Sequence, residues 1–452
     1  MPVSSTHPKY SKFQRQWERC RDVIDGSDAV KDKGIAYLPK LTAMTTKDYQ
    51  AYKHRALFFS AAGRSLQGLV GTMTRRTPTI VHDNMDDHFN DTSLTAKSFT
   101  ELFIEACEEI LTTGRFGMLA DVGTNGGRAY IAVYNTEDIL NWQMDMYGNL
   151  SMLVLQETID VASSKDAFEI EEEIQYRHLQ MENGEYVVYI YNQDEELVQT
   201  ITPRLQGAPL PYIPFVCVTP RGLQIEPEKP PILDIVDVNI SQYMTSADLE
   251  NGRHFAGLPT PVVTGAESEA SLKVGGTSAW VISNDKAKAY YLEFQGQGLQ
   301  SLEKAMSEKT GQMAQFSSRL MDTSTRGSEA AETVRLRHSA DSATLSSVAI
   351  SVEAGFNQIF GYVAAFDRYE PPTIELNKDF LDTKLSPPEL TALTNSYITG
   401  AIDLETYIYN LQRGELLPHG KKTMESKPAE PGSNGTSADQ ENEGEPENPP
   451  VE

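Results

Sequence analysis

The densest group of side chains that could bind a metal lies between His82 and His88. This segment holds two histidines and three aspartates, at His82, Asp83, Asp86, Asp87 and His88. Imidazole and carboxylate groups at such short spacing could hold a divalent cation that activates water, as in a metal-dependent nuclease. The segment mixes hard and soft ligands without a recognised spacing. The sequence therefore favours a solvated acidic loop, with a metal site as the alternative.

Three other segments resemble chemical sites only in composition. Gly123–Gly127 could cradle a phosphate, but it lies between two predicted strands with no helix N-terminus behind it, so a hairpin turn is favoured. Glu171–Glu173 offers paired carboxylates, but a run of charge usually forms a solvated face. Gly414–Thr423 has the wrong spacing for a nucleotide-binding loop. None of the three predicts a reaction.

No nucleophile and base occur together in a catalytic pattern. The other histidines considered are scattered along the chain, at His54, His178, His254 and His338. No serine or cysteine lies near one of them in a nucleophile-base arrangement. The three cysteines are far apart in sequence, which is typical of core thiols in a reducing compartment: Cys20, Cys107 and Cys217. We therefore expect a protein that is not an enzyme and needs no cofactor or metal.

Length and charge narrow the class further. The chain has 452 residues and a formal net charge of -25, and its length predicts about two to four subdomains. Phosphate binding needs clustered cations, so this acidic balance argues against a protein that grips nucleic acid tightly. The N-terminus is polar, and no apolar run reaches the ~18 residues of a membrane span. We therefore expect neither secretion nor membrane insertion.

The longest predicted element is a helix within residues 324–366. Ser328 is a suitable N-cap, Glu329 and Glu332 add negative charge to the first turn, and no proline follows before Pro371. A helix of ~39 residues would be roughly 58 Å long, longer than a compact domain is wide. Apolar residues at spacings of three and four share one face, which we expect copies of the chain to cover: Val334, Leu345, Val348, Val352, Phe356, Ile359, Val363 and Phe366.

The middle of this helix carries small side chains that would let another backbone approach. They are Ser339, Ala340, Ser342, Ala343, Ser346, Ser347 and Ala349. We interpret them as a subunit-packing surface, with an ordinary helical bundle as the alternative. Gly355 and Gly361 each weaken the helix by about 1 kcal/mol relative to alanine, so a bend is expected there.

The region before residue 231 contains helices and then strands. A short helix is expected around Phe13–Ile24, one continuous helix over Thr45–Thr74, and another over Ser98–Thr113, which Gly114 ends. Residues 115–220 change to short segments rich in β-branched and aromatic residues, separated by turns such as Glu182-Asn183-Gly184. Between Asp160 and Glu196 acidic residues greatly outnumber the two basic ones, so one exposed face should be strongly negative.

Two further helices bracket a small β insert. A helix is predicted from Pro231 to Phe255 and another over Gln297–Met321. Strands are expected at 261–264, 279–282 and 290–294 between them, with one more in the segment EPPTIELN and two short helices within 386–417. After Pro418 the chain is acidic, rich in Pro, Gly and Ser and poor in apolar residues, so a disordered tail is predicted.

This order of elements resembles the portal proteins of tailed bacteriophages, the head-to-tail connectors. The resemblance covers roughly residues 45–418. Residues 231–265, PILDIVDVNISQYMTSADLENGRHFAGLPTPVVTG, and 328–353, SEAAETVRLRHSADSATLSSVAISVE, are similar to a portal-like phage family long labelled a domain of unknown function. The resemblance implies an α+β fold with a β-rich wing, two-helix stem, small β clip, long bent spine helix and helical crown, assembled as a ring.

The resemblance also implies a division of the chain. Its parts would be an N-terminal arm at 1–44, wing at 45–230, first stem helix at 231–255, clip at 256–296, second stem helix at 297–321, tunnel loop at 322–328, long wing helix and strand at 329–385, crown at 386–420 and disordered acidic tail at 421–452.

The implied function is a ring, typically of twelve copies, at one capsid vertex through which double-stranded DNA is packaged and ejected. Expected partners are the large terminase, a head-tail adaptor, and the major capsid and scaffold proteins, with location in the virion and in the host cytoplasm during assembly. The residues expected to face the DNA, without sequence specificity, are Ser324, Thr325, Arg326, Lys304, Lys309 and Arg319. Sparse cations in an acidic channel would let DNA slide without sticking.

Two other classes stay open. A minor capsid or scaffold-type adaptor would be a structural protein without a DNA channel. A nuclease would show metal-dependent turnover that is lost on changing His82 or Asp86.

Overall fold

A computed structural model defines the fold of residues 2–93, 96–123, 127–162, 170–257, 260–265, 286, 288–292, 297–321, 331–378, 380, 387–413 and 416–417. These residues form α-helices and antiparallel sheets, which confirms the predicted α+β class. They divide into two compact units, Met1–Asp382 and Thr383–Glu452. Among the described helices, none combines the length and hydropathy that crossing a membrane requires.

Six helices precede the first large sheet: α1 (Pro8–Asp25), α2 (Ser27–Asp32), α3 (Thr46–Arg55), α4 (Ala61–Thr74), α5 (Asp86–Asn90) and α6 (Phe99–Thr113). The clearest local signals belong to α6, which begins with a capping box between Ser98 and Glu101. It ends at Gly114, whose φ of 79° is left-handed and favours glycine. The helix predicted over Ser98–Thr113 is therefore confirmed.

The helix predicted as continuous over Thr45–Thr74 is wrong. The structure divides it into α3, which ends at Arg55, and α4, which begins at Ala61. We call the intervening residues 56–60, together with α3 and α4, the elbow. A capping box between Thr45 and Asp48 starts α3 as the sequence suggested.

The break in the elbow is imposed by Asn239, a fully buried residue of helix α7 (Leu233–Gly257). Its side-chain oxygen accepts hydrogen bonds from the backbone N–H of Ala61 at 3.1 Å and of Ala62 at 3.0 Å. Its amide group donates to the Phe59 carbonyl at 2.9 Å. These bonds satisfy backbone groups at the start of α4, which an uninterrupted helix would have paired internally.

The β-rich region begins with a four-stranded sheet in the order β12-β11-β2-β3. Its strands are β2 (Phe116–Val122), β3 (Ala129–Tyr134), β11 (Phe215–Thr219) and β12 (Gly222–Leu223). Because β2 and β3 pair antiparallel and Val122 faces Ala129, they form the hairpin predicted around Gly123–Gly127. Residues 124–126 themselves lie outside the described residues.

A five-stranded sheet follows in the order β4-β5-β6-β7-β8. Its strands are β4 (Ile139–Met144), β5 (Leu150–Ala162), β6 (Ile170–Glu182), β7 (Glu185–Tyr191) and β8 (Leu197–Ile201). The predicted turn at Asn183-Gly184 is confirmed, because both residues have positive φ, at 53° and 86°, and join β6 to β7 directly. One face of the sheet is buried through Leu153, Leu155 and Leu179.

The remaining strands form three two-stranded sheets, each paired over two to five residues. β9 (Arg204–Leu205) pairs with β10 (Ala208–Pro209), β1 (Thr79–Val81) with β15 (Thr373–Glu375), and β13 (Thr260–Thr264) with β14 (Lys288–Leu292). The last pair is the predicted insert between α7 and helix α8 (Gln297–Met321). The strand expected at 279–282 lies outside the described residues.

Helix α9 (Ala331–Asp367) is continuous over 37 residues, so the long helix is confirmed. Its C-terminal part packs against α6, β2, β3, β11, β12 and β15 of the same chain. The predicted apolar face is buried there, with Leu345, Val348, Val352, Phe356, Ile359 and Val363 at most 1% exposed. Phe366 packs against the core, whereas the Val334 side chain lies outside the described part.

This packing corrects the expectation that copies of the chain cover the apolar face. From Leu345 onward the cover is the chain's own sheet and helices. Two residues assigned to subunit packing are also used internally: the Ser347 hydroxyl donates to the Pro220 carbonyl at 3.0 Å, and Ala349 is 2% exposed. Because the chain's own elements cover this face from Leu345 onward, that part of the helix needs no second copy to bury it.

The two glycines of α9 predict opposite effects on stability. A methyl group at Gly355 would overlap the buried Val218 Cγ2, whereas one at Gly361 would meet nothing within 4 Å. Gly355→Ala is expected to lower the free energy of unfolding by about 1–3 kcal/mol through overpacking. Gly361→Ala should raise it by about 0.5–1 kcal/mol. Urea denaturation of both variants measures this, and a stabilised Gly355→Ala would contradict the packing of α9. The bend of α9 expected at Gly355 and Gly361 stays a prediction.

The N-terminal and C-terminal parts complete the described chain. Residues 1–44, predicted as an arm, include α1, whose Trp17 and Cys20 are fully buried. The second unit holds α10 (Pro387–Ile398) and α11 (Leu404–Arg413), in which the Tyr397 and Tyr407 rings stack at 4.7 Å. The predicted short helices within 386–417 are therefore confirmed. The acidic tail at 421–452 lies outside the described residues.

Candidate functional site

The α7–α8 pair is the place where the sequence predicted contact with DNA. The two helices have 25 residues each and pack closely along one another. The Gln242 amide donates to the Thr310 hydroxyl at 2.9 Å. At Gly252 the absence of a side chain makes room for Leu299, since a Cβ there would lie 2.5 Å from its Cδ2 atom. Polar bonds and the packing of Leu299 on the Gly252 backbone therefore fix α8 on α7.

Lys309 is part of this internal contact. Its Nζ donates to the Ser241 carbonyl at 3.0 Å and to the Thr245 hydroxyl on α7. Burial lowers the pKa of the Lys309 amine, and the Asp248 carboxylate opposes that shift. The side chain therefore points to α7, where it helps to hold the two helices together.

Lys304 has the opposite environment. Its side chain is 79% exposed, and Nζ lies 3.9 Å from the Glu308 carboxylate one turn on. Nearby, the Arg253 guanidinium binds Glu250 and Glu303, each at 2.8 Å, so a second cation at this surface is already paired with carboxylates. The described outer side of α8 is otherwise polar and small, through residues such as Ser301, Ser307, Gly311, Gln312 and Ala314.

The two lysines predict different costs on substitution. Lys309→Met removes two hydrogen bonds between helices and should lower the free energy of unfolding by about 1–2 kcal/mol. Lys304→Met removes one long, exposed ion pair and should change it by less than about 0.5 kcal/mol. Chemical denaturation of the two variants side by side measures the difference. Equal effects would show that Lys309 does not join α7 to α8.

The other predicted channel residues cannot be located in the same way. Ser324, Thr325 and Arg326 lie outside the described residues, and Arg319 belongs to α8 but its side chain lies outside the described part. Their contact with DNA stays a prediction. The structure thus brings Lys304 and Lys309 onto one helix and turns only Lys304 outward.

In the segment His82–His88 the three aspartates are exposed, as the sequence favoured, but His88 is buried. Helix α5 begins at Asp86, and His88 is 4% exposed, with Nε2 at 2.7 Å from the Asp367 carboxylate at the end of α9. His82 stacks on Phe89 with ring centroids 4.9 Å apart. Over the described part of the chain, no three His, Cys, Asp or Glu side chains come together to hold a metal ion.

The three cysteines and His178 have environments that shift their pKa values. Cys20, Cys107 and Cys217 are buried, and burial raises the pKa of each thiol, to about 12 for Cys20 and Cys217. A thiol with so high a pKa is a poor nucleophile at neutral pH. Burial lowers the pKa of His178, which lies on the five-stranded sheet beside two tyrosines.

Sequence reasoning missed the most buried charged group, Arg115. This residue is fully buried, and its guanidinium donates to the Thr136 hydroxyl and to the carbonyls of Thr136, Ile139 and Ile225 at 2.7–3.2 Å. A lone arginine after the glycine that ends a helix gives no local signal of this role. Its partners are supplied by residues that are distant in sequence.

A known protein family matches the region of the chain that contains the α7–α8 pair. Residues 231–367 match a family described as a domain of unknown function, DUF4055. The matched range runs from the start of α7 to the end of α9, so it contains the helix pair, the β13–β14 hairpin and the long helix. No curated protein matches the chain.

Solved structures with a similar backbone come from gene transfer agent particles. One is a chain of the virion of a native particle, with a TM-score of 0.41, 9% identity, and coverage of 84% of this chain and 98% of that chain. A second comes from the neck of an empty particle computed with C6 symmetry, with a TM-score of 0.39, 10% identity, and coverage of 77% of this chain and 89% of that chain. A third comes from the neck of a native particle computed with C12 symmetry, with a TM-score of 0.36, 10% identity, and coverage of 78% of this chain and 89% of that chain.

Proposed function

We propose that the chain is a phage portal protein that forms a ring-shaped channel at one capsid vertex. The observation that carries this proposal is the order of elements in residues 231–367. Two 25-residue helices enclose the β13–β14 hairpin, and the 37-residue α9 follows. In the portal resemblance these elements are the stem, the clip and the spine of the wing. We assign α7 and α8 to the stem on that basis.

The chemistry of the outer side of α8 suits a channel through which DNA slides. Each phosphate neutralised by a protein cation releases counterions and adds salt-dependent affinity. On the described part of this side, Lys304 lies beside Glu308 and the rest is mainly small or uncharged polar. Such a surface would hold DNA weakly. Lys309 would reach DNA only after leaving its acceptors on α7.

The same proposal names the remaining parts and partners. Ser324, Thr325, Arg326 and Arg319 would line the channel with Lys304, in a ring of about twelve copies. The packaging motor, the large terminase, would dock on the clip during filling, and tail adaptors would replace it afterwards. Capsid and scaffold proteins would surround the ring in the virion, after assembly in the host cytoplasm. The chain itself would hydrolyse nothing.

Negative-stain electron microscopy of the purified full chain tests this proposal. A portal should show closed rings with a central hole. The second candidate, a minor capsid or scaffold-type adaptor, follows from the same fold if the ring is absent. Protomers or compact oligomers without a hole would therefore overturn the portal assignment and favour the adaptor.

A further inference from the structure

The five-stranded sheet has one covered face and one open face. Side chains alternate along β5, β6 and β7, and the face opposite the buried leucines carries four half-buried rings on two central strands. We call these rings the aromatic stripe: Tyr176, His178, Tyr189 and Tyr191. Tyr176 pairs across the strands with Tyr191, and His178 with Tyr189, with ring centroids 5.6 Å apart in the second pair.

Each end of the aromatic stripe carries two carboxylates directly opposite each other. Asp160 faces Glu172 across β5 and β6, and Glu182 faces Glu185 across the β6–β7 turn. All four are exposed and, by the strand alternation, lie on the open face. The two pairs are roughly 33 Å apart along β6, at about 3.3 Å per residue.

Opposed like charges destabilise a sheet unless a cation lies between them. Arg177, the basic residue of β6, is on the covered face, where it pairs with Asp121 at 2.5 Å and Glu157 at 2.8 Å. Within the described residues, no ion pair reaches either opposed carboxylate pair. Over residues 160–196 as a whole there are eleven acidic residues and two basic ones. The open face thus carries the aromatic stripe between two negative ends, at one of which the Tyr189 hydroxyl donates to Glu182 at 2.8 Å.

The elbow has the opposite character. Residues 46–74 contain four basic residues and one acidic residue, although the chain as a whole is strongly acidic. At the break, Leu57 is 63% and Phe59 44% exposed. The Arg64 guanidinium lies 5.1 Å from the centre of the Phe59 ring. Two exposed apolar side chains therefore project from a positively charged surface.

The elbow is also held rigid and its cations are available. Besides the bonds to Asn239, the Leu57 N–H donates to the Ser246 hydroxyl on α7 at 3.0 Å. Lys47 and Lys53 on α3, and Arg64 on α4, reach solvent. None of these three forms an ion pair with the part of the chain that the structure describes. A preorganised surface of this kind binds with little ordering cost.

We propose that the elbow of one copy docks on the open face of the five-stranded sheet of a neighbouring copy. Leu57 and Phe59 would cover the aromatic stripe, and the cations of α3 and α4 would face the opposed carboxylate pairs. The occupant is a second copy because the chain itself supplies both complementary surfaces. Copies with a net charge of -25 repel one another, so association needs a local match of charge.

This contact is heterologous, since two different surfaces of the chain meet. Repeating such a contact closes into a ring when the rotation allows it. The inference rests on the proposed function and adds the surfaces that would join neighbouring protomers.

Reversing the charges on each surface tests the docking. The sheet variant is Glu172→Lys with Glu182→Lys, and the elbow variant is Lys53→Glu with Arg64→Glu. Sedimentation velocity at ~0.1 M salt should show that each variant alone needs a concentration about tenfold higher or more to assemble than the unaltered chain. An equal mixture of the two should assemble again, because reversed sheets can meet reversed elbows while the unaltered surfaces also meet.

A control variant introduces the same change of net charge as the sheet variant, but outside both surfaces. Asp28→Lys with Glu375→Lys, at exposed positions outside both surfaces, should leave assembly unchanged. The docking is overturned if the control weakens assembly as much as the sheet variant does. It is equally overturned if correctly folded variants assemble like the unaltered chain. The same holds if the mixture of the sheet and elbow variants assembles no better than either variant alone. Rings from the unaltered chain in those cases leave the portal proposal standing, whereas an unaltered chain that never assembles contradicts both proposals.

Discussion

Replacing Arg115 with methionine is expected to lower the free energy of unfolding by about 4 kcal/mol. The guanidinium is fully buried and lies 5.3 Å from the Trp17 ring and 5.0 Å from the Trp142 ring. Methionine fills part of the volume but leaves buried hydrogen-bond acceptors without a donor. Unpaired buried polar groups cost about 1–3 kcal/mol each, and loss of the ring contacts adds to that.

Unfolding in urea, followed by tryptophan fluorescence, measures this effect because two of the three tryptophans flank Arg115. Arg204→Met is a matched control, since Arg204 is exposed and its side chain donates, among the described residues, only to the Gly207 carbonyl. The control should change the free energy of unfolding by less than about 0.5 kcal/mol. Equal stability of the two variants would contradict the structural role of Arg115.

Replacing Asn239 with leucine is expected to lower the free energy of unfolding by about 3 kcal/mol and to loosen the elbow. The substitution leaves the buried Ala62 N–H without a partner, while the Ala61 N–H and the Phe59 carbonyl keep only their bond to each other at 2.7 Å. The elbow should then open locally before the rest of the chain unfolds. Limited proteolysis should show faster cleavage within residues 56–60.

Asp237→Ala provides the comparison on the same helix. Its side chain is half-exposed and lies 3.4 Å from Arg19, so its loss should cost less than about 1 kcal/mol. It should also leave cleavage in the elbow unchanged. If Asn239→Leu is cut no faster than Asp237→Ala, Asn239 does not hold the break.

The sequence predicts elements well where the signals are local. Ser98, Glu101 and Gly114 mark the ends of α6, and Asn183-Gly184 specifies the turn between β6 and β7. The spacing of apolar residues from Leu345 to Val363 predicts α9 and its buried face. Each of these features depends on residues within a few turns or one hairpin of each other.

The sequence fails where a distant residue decides the outcome. The break between α3 and α4 depends on Asn239, which follows Ala61 by 178 residues. Strand β6 has a weak sequence signal because glutamates occupy three of its first four positions and because Arg177, rather than an apolar residue, lies on its covered face in ion pairs. The same limit applies to α9, whose cover is the chain's own sheet and not a second copy.

The position of two of the proposed channel residues on a helix follows from the sequence, whereas their contact with DNA stays a prediction. The sequence placed Lys304 and Lys309 on one helix, which the structure bears out, but helix periodicity alone could not tell which lysine faces α7. That distinction depends on Ser241 and Thr245 across the pair. The aromatic stripe was missed because its four rings lie on two strands, and only the strand register brings them together.

The position of α8 in the assembled protein tests the central claim most directly. A reconstruction of the full chain by electron cryomicroscopy should show a closed ring in which α7–α8 pairs surround the axis and Lys304 faces the hole. A ring whose hole is bordered by the five-stranded sheet would contradict this account, as would a chain that stays a protomer at every concentration examined.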